Sequence, residues 1–502
     1  MSCGNGPGNT AEEGEVLMPK RRILPRTDPK SCFRCHTARG AFILRSQPHC
    51  KDCFFPSVQL RFTRRIYQPL RPPTVRKNVT RPPIQDGQVL VALSGGAGSM
   101  AMLDQMTDLG LIGSGDGARA DKTKGEKEVV WESGTVVYVE FAWVTGMSAR
   151  MEEMEEVAKS QGLGFVGVRA EDVYDEGLER RLRGKCGQGQ SSDTHTYRQW
   201  HVIPTRADFS GSSSSSNTSQ DNLTRLRTLL SSLPPTSRPS LLQLILDHLL
   251  TLVAHSLPNV SQLLLGETST REAQRVISAT ASGRGWALPL ELANTLSLRP
   301  SSTVDPSPII RLKPMKDISL KEAAVYCHLR RLPTVNQRRW VDGRSSGGRG
   351  KGSTSLEMLT EQFILGLSVT HPSTVSTINK TGDKLVFSGN AQSAELCPLC
   401  QMPAEPSAQA WKSRTALTSL PDKTEPIHRA EPVVPEQQDS TLEPLLCYAC
   451  LTTLTPHTHT AKKPPAEDGE TEAELPLWVE QRARHRRVGP EEMRKDIQEF
   501  LL

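Results

Sequence analysis

Residues 88 to 99 read Gln88-Val-Leu-Val-Ala-Leu-Ser-Gly-Gly-Ala-Gly-Ser99, an apolar run that ends in a glycine-rich turn. The run predicts a buried strand. In the turn, Ser94, Gly95, Gly96, Gly98 and Ser99 present backbone N–H groups and hydroxyls of the kind that cradle a phosphate. A helix is expected directly behind, with Ser99 capping Met100 to Leu109. The spacing is not that of a Walker loop, because no Lys-Ser/Thr follows, and the three glycines do not fit the dinucleotide fingerprint.

Cysteines supply the second signal. Cys32-x-x-Cys35 and Cys50-x-x-Cys53 are separated by 14 residues, close to the paired-knuckle zinc pattern. Each Cys-x-x-Cys turn points two thiolates at one ion, and two turns close a tetrahedron. A second set, Cys397-x-x-Cys400 and Cys447-x-x-Cys450, has the same knuckles with 46 residues between them. That interval is rich in Pro, Ser, Thr and Glu and reads as an extruded loop. Two structural zinc sites are therefore expected. Met1 to Thr10 has no apolar run of the signal-peptide kind, so a cytosolic, reducing compartment is expected for these thiols.

Lys and Arg exceed Asp and Glu by six over 502 residues, but unevenly. Arg61, Arg64, Arg65, Arg71, Arg76, Lys77 and Arg81 fall in one stretch that contains no acid. Phe62, Ile66 and Tyr67 are interleaved, and paired prolines at 72–73 and 82–83 favour an extended chain. Beside a zinc module, such a stretch reads as an arm that tracks the phosphates of a nucleic acid. The most apolar run, within Ser240 to Ser256, is too short for a span and carries Gln243, Asp247, His248 and His255. It reads as a buried helix, and no membrane association is expected.

Between the cysteine sets, strand and helix signals alternate. Strands are expected up to Leu93, over Thr135 to Trp143, Gly164 to Arg169 and Ser261 to Gly266. Helices are expected over Met151 to Gln161, Ser240 to Ser256, Thr270 to Ser282 and Ser319 to Arg330. This alternation predicts an α/β fold with a doubly wound, mostly parallel sheet. Ligands in such sheets bind beyond the carboxyl ends of the strands, where the Ser94 loop and the turn after Gly266 both fall. The expected organisation is a zinc ribbon at 25–56, a basic connector at 57–86 and a core at 87–370 with insertions at 113–128, 184–220 and 343–355. A second ribbon at 371–455 with an internal loop at 403–445, and a charged tail at 456–502, complete it.

Six segments occur in an order that resembles the tRNA-thiolating branch of the ATP pyrophosphatases, and within it the cytoplasmic tRNA 2-thiolation protein 2 family. They are Cys32-Phe-Arg-Cys35, Val91-Ala-Leu-Ser-Gly-Gly-Ala-Gly-Ser99, Leu263-Leu-Leu-Gly-Glu-Thr-Ser-Thr-Arg-Glu-Ala273, Gly283-Arg-Gly-Trp286, Arg311-Leu-Lys-Pro-Met-Lys-Asp317 and Cys397-Pro-Leu-Cys400. Ser94-Gly95-Gly96 with Ser99 resembles the superfamily's Ser-Gly-Gly-x-Asp-Ser pyrophosphate loop, with Gly98 in the place of the Asp. The resemblance implies a PP-loop core between two zinc ribbons, and ATP-driven chemistry on RNA in active members. There, the uridine carbonyl oxygen is adenylated, pyrophosphate leaves, and sulfur replaces the activated oxygen.

The chain departs from that pattern at the acidic positions. Besides Gly98, Thr270 and Arg271 stand where active relatives carry Asp-Asp after the Gly266 strand. The cysteines between the zinc sets, Cys186 and Cys327, have no knuckle partner. The resemblance therefore implies a subunit without catalytic residues of its own, required for 2-thiolation of wobble uridine. It would pair as a heterodimer with a catalytic PP-loop homologue and help to bind tRNA. ATP and Mg²⁺ would enter through that partner, and sulfur on a ubiquitin-like thiocarboxylate carrier. Two other readings are an active ATP-dependent tRNA sulfurtransferase and a zinc-ribbon RNA-binding adaptor with a scaffold core.

Overall fold

The computed structural model describes residues 31–44, 47–70, 82–113, 129–187, 201–202, 215–298, 308–335, 355–389, 394–405, 408, 411–412, 442–454 and 473–487. The chain forms two compact units, Met1–Ser57 and Val58–Leu502. In the first, Ser31 bridges Arg39, and β1 (Phe42–Leu44) pairs antiparallel with β2 (Gln47–His49). The Phe42 ring lies against Phe54, whose side chain is fully buried. Helix α1 (Lys51–Leu70) starts in this unit and continues into the second.

The second unit is built on seven strands: β3 (Gln85–Ala92), β4 (Trp131–Glu140), β5 (Gly164–Arg169), β6 (His201–Val202), β7 (Val260–Leu265), β8 (Thr295–Leu298) and β9 (Ile309–Leu312). Their order in the sheet is β6-β5-β4-β3-β7-β9-β8, and only the β8–β9 pair is antiparallel. Val89, Leu90 and Val91 are fully buried, as befits the central strand of a parallel sheet. From β3 the chain runs outward through β4, β5 and β6, then returns to add β7 on the opposite side of β3. Right-handed crossovers in both directions place helices on both faces. The sheet is doubly wound as expected, and its switch point lies between β3 and β7.

Helices α2 (Ala97–Asp108), α3 (Ala142–Thr145), α4 (Met151–Ser160), α5 (Leu178–Gly187), α6 (Ser215–Ser232), α7 (Ser237–Ser256), α8 (Ser269–Ala281), α9 (Leu288–Leu292) and α10 (Leu320–Arg330) connect or follow the strands. Ser319 caps α10: its Oγ accepts from Glu322 N, and the Glu322 carboxylate accepts from Ser319 N at 2.8 Å. The apolar run within α7 is buried, and no helix among the described residues is long and apolar enough to cross a membrane. Helices α11 (Leu356–Thr370) and α12 (Pro372–Gly382) pack on α8, with Ala273, Ile364 and Val375 forming a small core. Two short helices, α13 (Tyr448–Leu454) and α14 (Leu477–Arg487), complete the described chain.

Several expectations need correction. Residues 58–70, expected to open the basic connector, are the second part of α1, with Val58, Phe62 and Ile66 fully buried. Their spacing of four puts one apolar stripe on a helix. The strand expected over Thr135 to Trp143 starts at Trp131 and stops at Glu140, whose carboxylate accepts from Ala142 N and Arg150 N and turns the chain into α3. The expected insertion at 184–220 contributes the end of α5, the short β6 and the start of α6. Residues 371–382 belong to the core helices rather than to a ribbon, and Ser355, placed in an insertion, caps α11 by accepting from Met358 N. The tail at 456–502 is not all solvated charge, because Trp478 and Val479 of α14 are buried in the main core. Most of the expected insertion 113–128, the stretch 343–354 and residues 413–441 of the expected loop lie outside the described residues.

Candidate functional site

The structure brings both cysteine sets together. Within each set, Cys32, Cys35, Cys50 and Cys53, and Cys397, Cys400, Cys447 and Cys450, the four sulfurs all lie within 4.8 Å of one another. Cys35 and Cys50 Sγ are 3.8 Å apart, and Cys400 and Cys447 Sγ are 3.7 Å apart, so none of these pairs is a disulfide. Tight turns build the knuckles: His36 N donates to Cys32 O at 2.9 Å, and Gln401 N to Cys397 O at the same distance. His36 and Gln401 both take positive φ there. The Thr37 hydroxyl, followed by backbone amides, brings the Cys35 thiol down to about 5, which favours the thiolate. These are donor sets for a single tetrahedral ion.

The glycine-rich turn occupies the switch point. Helix α2 starts at Ala97 with Gly96 as its N-cap, three residues earlier than a Ser99 cap would allow. Ser99 instead sits in the first turn, where its Oγ donates to Gly96 O and accepts from Ser94 N, each at 3.1 Å. Gly95 has φ +73, and its carbonyl accepts from Val335 N at 2.8 Å. Gly98 is pressed against the turn after β7. A Cβ at Gly98 would lie 2.3 Å from Gly266 O, and one at Gly266 would lie 2.5 Å from Ser99 Cα. Backbone meets backbone here, so neither position has room for a side chain.

A chain of ion pairs fills the carboxyl ends of β7 and β9. Glu267 pairs with Arg275 and Lys313, each at 2.8 Å. Lys313 reaches Glu272 at 4.0 Å, and Glu272 pairs with Lys316 at 3.0 Å. Lys316 continues to Asp383 at 2.6 Å, Asp383 to Arg65 at 3.8 Å, and Arg65 to Asp317 at 2.6 Å. Burial is the largest influence on Glu267 and would raise its pKa, but Arg275 and Lys313 outweigh it and hold the carboxyl well below the usual range. Burial pushes Lys313 down. Thr270 Oγ1 accepts from Leu320 N, and Arg271 donates to Gln274 and pairs with Glu361. This network had no signal in local spacing, since its members lie on four separate stretches of the chain.

Of the basic residues expected to meet nucleic acid, two are engaged internally. Arg65 makes a bidentate pair with Asp317, at 2.6 and 2.7 Å. Arg61 pairs with Glu322 at 2.8 Å and donates to Asp317 O. These two arginines tie α1 to the start of α10. Arg64 is exposed. Arg71, Arg76, Lys77 and Arg81 lie outside the described residues.

Residues 355–452 match the family model described as cytoplasmic tRNA 2-thiolation protein 2. Cytoplasmic tRNA 2-thiolation protein 2-A of Xenopus laevis is 24% identical over 560 aligned positions, covering 98% of this chain and 98% of its own. The Danio rerio cytoplasmic tRNA 2-thiolation protein 2 is 25% identical and covers 80% of this chain and 74% of its own. The chain is thus similar to cytoplasmic tRNA 2-thiolation protein 2 relatives over most of its length. Among solved structures, the U34-tRNA thiolase NcsA from Methanococcus maripaludis, determined with its [4Fe-4S] cluster, is similar with a TM-score of 0.42 and 12% identity. That match covers 74% of this chain and 95% of NcsA.

At Gly98 a side chain such as that of Asp is sterically excluded. Gly98→Ala and Gly266→Ala should each destabilise the fold by about 1–3 kcal/mol through overpacking. Gly96→Ala should be nearly neutral, because its Cβ would meet only Ser94 Oγ at 3.5 Å. Urea unfolding of the three variants measures this, and a Gly98→Asp protein as stable as wild type would contradict the geometry.

Proposed function

We propose that this chain is the non-catalytic subunit of a cytosolic complex that 2-thiolates the wobble uridine of tRNA, where it pairs with a catalytic homologue and helps to hold the tRNA. Similarity to cytoplasmic tRNA 2-thiolation protein 2 relatives supports the role in tRNA thiolation, and the relatives' names support the compartment. The observation that carries the non-catalytic reading is the filled switch point. An adenylating member needs amide donors for pyrophosphate, carboxylates for Mg²⁺ and a reactive thiol. Here the Ser94 to Ser99 turn offers the amides alone. Glu267 and Glu272 are already held by Arg275, Lys313 and Lys316, and Gly98 admits no carboxylate. Mg²⁺ does not fit this arrangement. Cys327 is the thiol nearest the turn, but it is buried, donates to Ala97 O at 3.4 Å, and is pushed up to about 12 by burial. ATP, Mg²⁺ and the sulfur from a ubiquitin-like carrier are therefore assigned to the partner.

The isolated chain should release no pyrophosphate from ATP in the presence of tRNA, and the mixture with its catalytic homologue should do so. Robust tRNA-dependent turnover by the chain alone would favour an active sulfurtransferase instead.

Zinc is the ion this reading places in both cysteine groups. With Zn–S bonds of about 2.3 Å, a tetrahedron has S···S edges of about 3.8 Å. The 3.8 and 3.7 Å separations fit that figure. A four-iron cluster binds each cysteine to a different iron and needs the sulfurs farther apart. Such ions commonly supply on the order of 10 kcal/mol to a small module. Cys32→Ser should therefore unfold the first group and leave zinc at the second. Metal analysis should give two zincs for the wild-type chain and one for the variant, and fewer than two in reduced, unchelated wild-type protein would refute the assignment.

For tRNA, Arg64 and the neighbouring Arg71, Arg76, Lys77 and Arg81 remain the proposed phosphate contacts. Arg64→Glu combined with Arg76→Glu should weaken tRNA binding and lower the slope of log K against log salt by roughly one unit per lost contact. An unchanged slope would remove this stretch from the tRNA interface.

A further inference from the structure

The Gly283-Arg284-Gly285-Trp286 segment follows α8 and takes no part in the switch-point site. Its first residue has φ +76, and a Cβ there would lie 2.4 Å from Tyr448 Cε1. Tyr448 directly follows Cys447, so the bare backbone of Gly283 is a flat seat for the second cysteine group. Arg284 comes next in the chain. Its side chain is almost buried, with Nη1 3.7 Å from Glu291 Oε1. Among the charges that hold this guanidinium ionised against the opposing effect of burial are Glu291, then Cys450, Cys400 and Cys447.

A second arginine approaches the same group from the other end of the chain. Arg482 of α14 donates to His248 Nδ1 at 3.3 Å. With the Gln401 amide turned so that its oxygen faces the guanidinium, that oxygen accepts from Arg482 Nε at 2.9 Å. Gln401 directly follows Cys400. Burial pushes Arg482 down to about 10, against the attraction of Cys400 and Cys397, so it stays charged at neutral pH. The His248 ring is stacked on Trp478 at 4.2 Å and is kept neutral by burial and then by Arg482, which leaves its Nδ1 free to accept.

A divalent ion held by four thiolates carries a net charge of minus two, and a buried charge of that size is costly without partners. We propose that Arg482, held beside Cys400 through Gln401, is a charge partner of a dianionic metal tetrathiolate at Cys397, Cys400, Cys447 and Cys450, and that loading of this ion latches α14 onto the core. Without the ion the knuckle that follows Cys400 is no longer fixed, and Gln401 no longer holds Arg482 in place. The helix then loosens from its Arg482 end. Its other end is held by contacts independent of the ion: Tyr174 OH donates to Glu474 O at 2.8 Å, and Arg225 Nε donates to the Glu474 carboxylate at the same distance. The first cysteine group provides an internal contrast, since its neighbouring Arg34 is exposed.

This inference rests on the zinc assignment above, and the test separates the two. Zinc stoichiometry and hydrogen exchange are measured on the full chain, zinc-loaded and after chelation, for peptides covering 31–53, 394–405, 442–454 and 477–487. Loss of the second zinc should speed exchange across 477–487 by about tenfold, with the change smaller towards Trp478. Arg482→Gln should speed zinc loss from the second group to a chelator several-fold and leave the first group unchanged, and Arg482→Lys should restore part of the difference. Zinc bound at the second group with identical exchange of 477–487 in both states overturns the latch alone, as does an Arg482→Gln protein that keeps its second zinc as long as wild type. Absence of zinc from the second group overturns both readings together.

Discussion

The contact between Gly98 and Gly266 governs much of this molecule. Strands β3 and β7 are hydrogen-bonded neighbours, with Ala92 opposite Leu265, so the turns that leave them emerge side by side. Two glycines let those turns meet backbone to backbone. A carboxylate has no room at Gly98, because the space it would need is taken by the carbonyl of the other turn. The first turns of α2 and α8 are drawn together at the point where a doubly wound sheet ordinarily opens a crevice. A binding edge has become a packed one.

Charge completes the closure. In a crevice meant for a nucleotide and its metal, carboxylates and cations are left free to meet a ligand. Here Glu267, Glu272, Lys313 and Lys316 meet one another, and Lys313 is 1% exposed. Buried pairs of this kind add little net stability, but losing one member is severe because the other is left as a bare buried charge. The network thus constrains the sequence at the carboxyl edge without giving it chemistry. It also reaches α1 through Asp383 and Arg65, which ties the N-terminal part of the unit to the same edge.

Elements whose signal is local were legible in the sequence. Strand β5 occupies Gly164–Arg169 as its apolar run indicates, and α10 follows Ser319 and Glu322 because a capping box is written into four consecutive residues. The four-cysteine groups were legible for the same reason, since each knuckle closes within four residues. What escaped depends on partners far away. The arginines of α1 look like a free basic arm until Asp317 and Glu322, some 250 positions later, are seen to receive them. The interleaved Phe62 and Ile66 carried the helical signal, at a spacing of four, but the prolines further on outweighed it. Trp478 read as tail because nothing near it in the chain reveals the His248 ring that it covers.

The pairing of Arg65 with Asp317 across 252 positions also sets a timetable for synthesis. At roughly 5–20 residues per second, the partner of α1 leaves the ribosome on the order of 10 to 50 seconds after α1 itself. Through that interval Arg61 and Arg65 lack the acidic groups that receive them in the finished protein. The long reach that locks the finished unit thus leaves the nascent α1 without its ion pairs until well over half of the chain has been made.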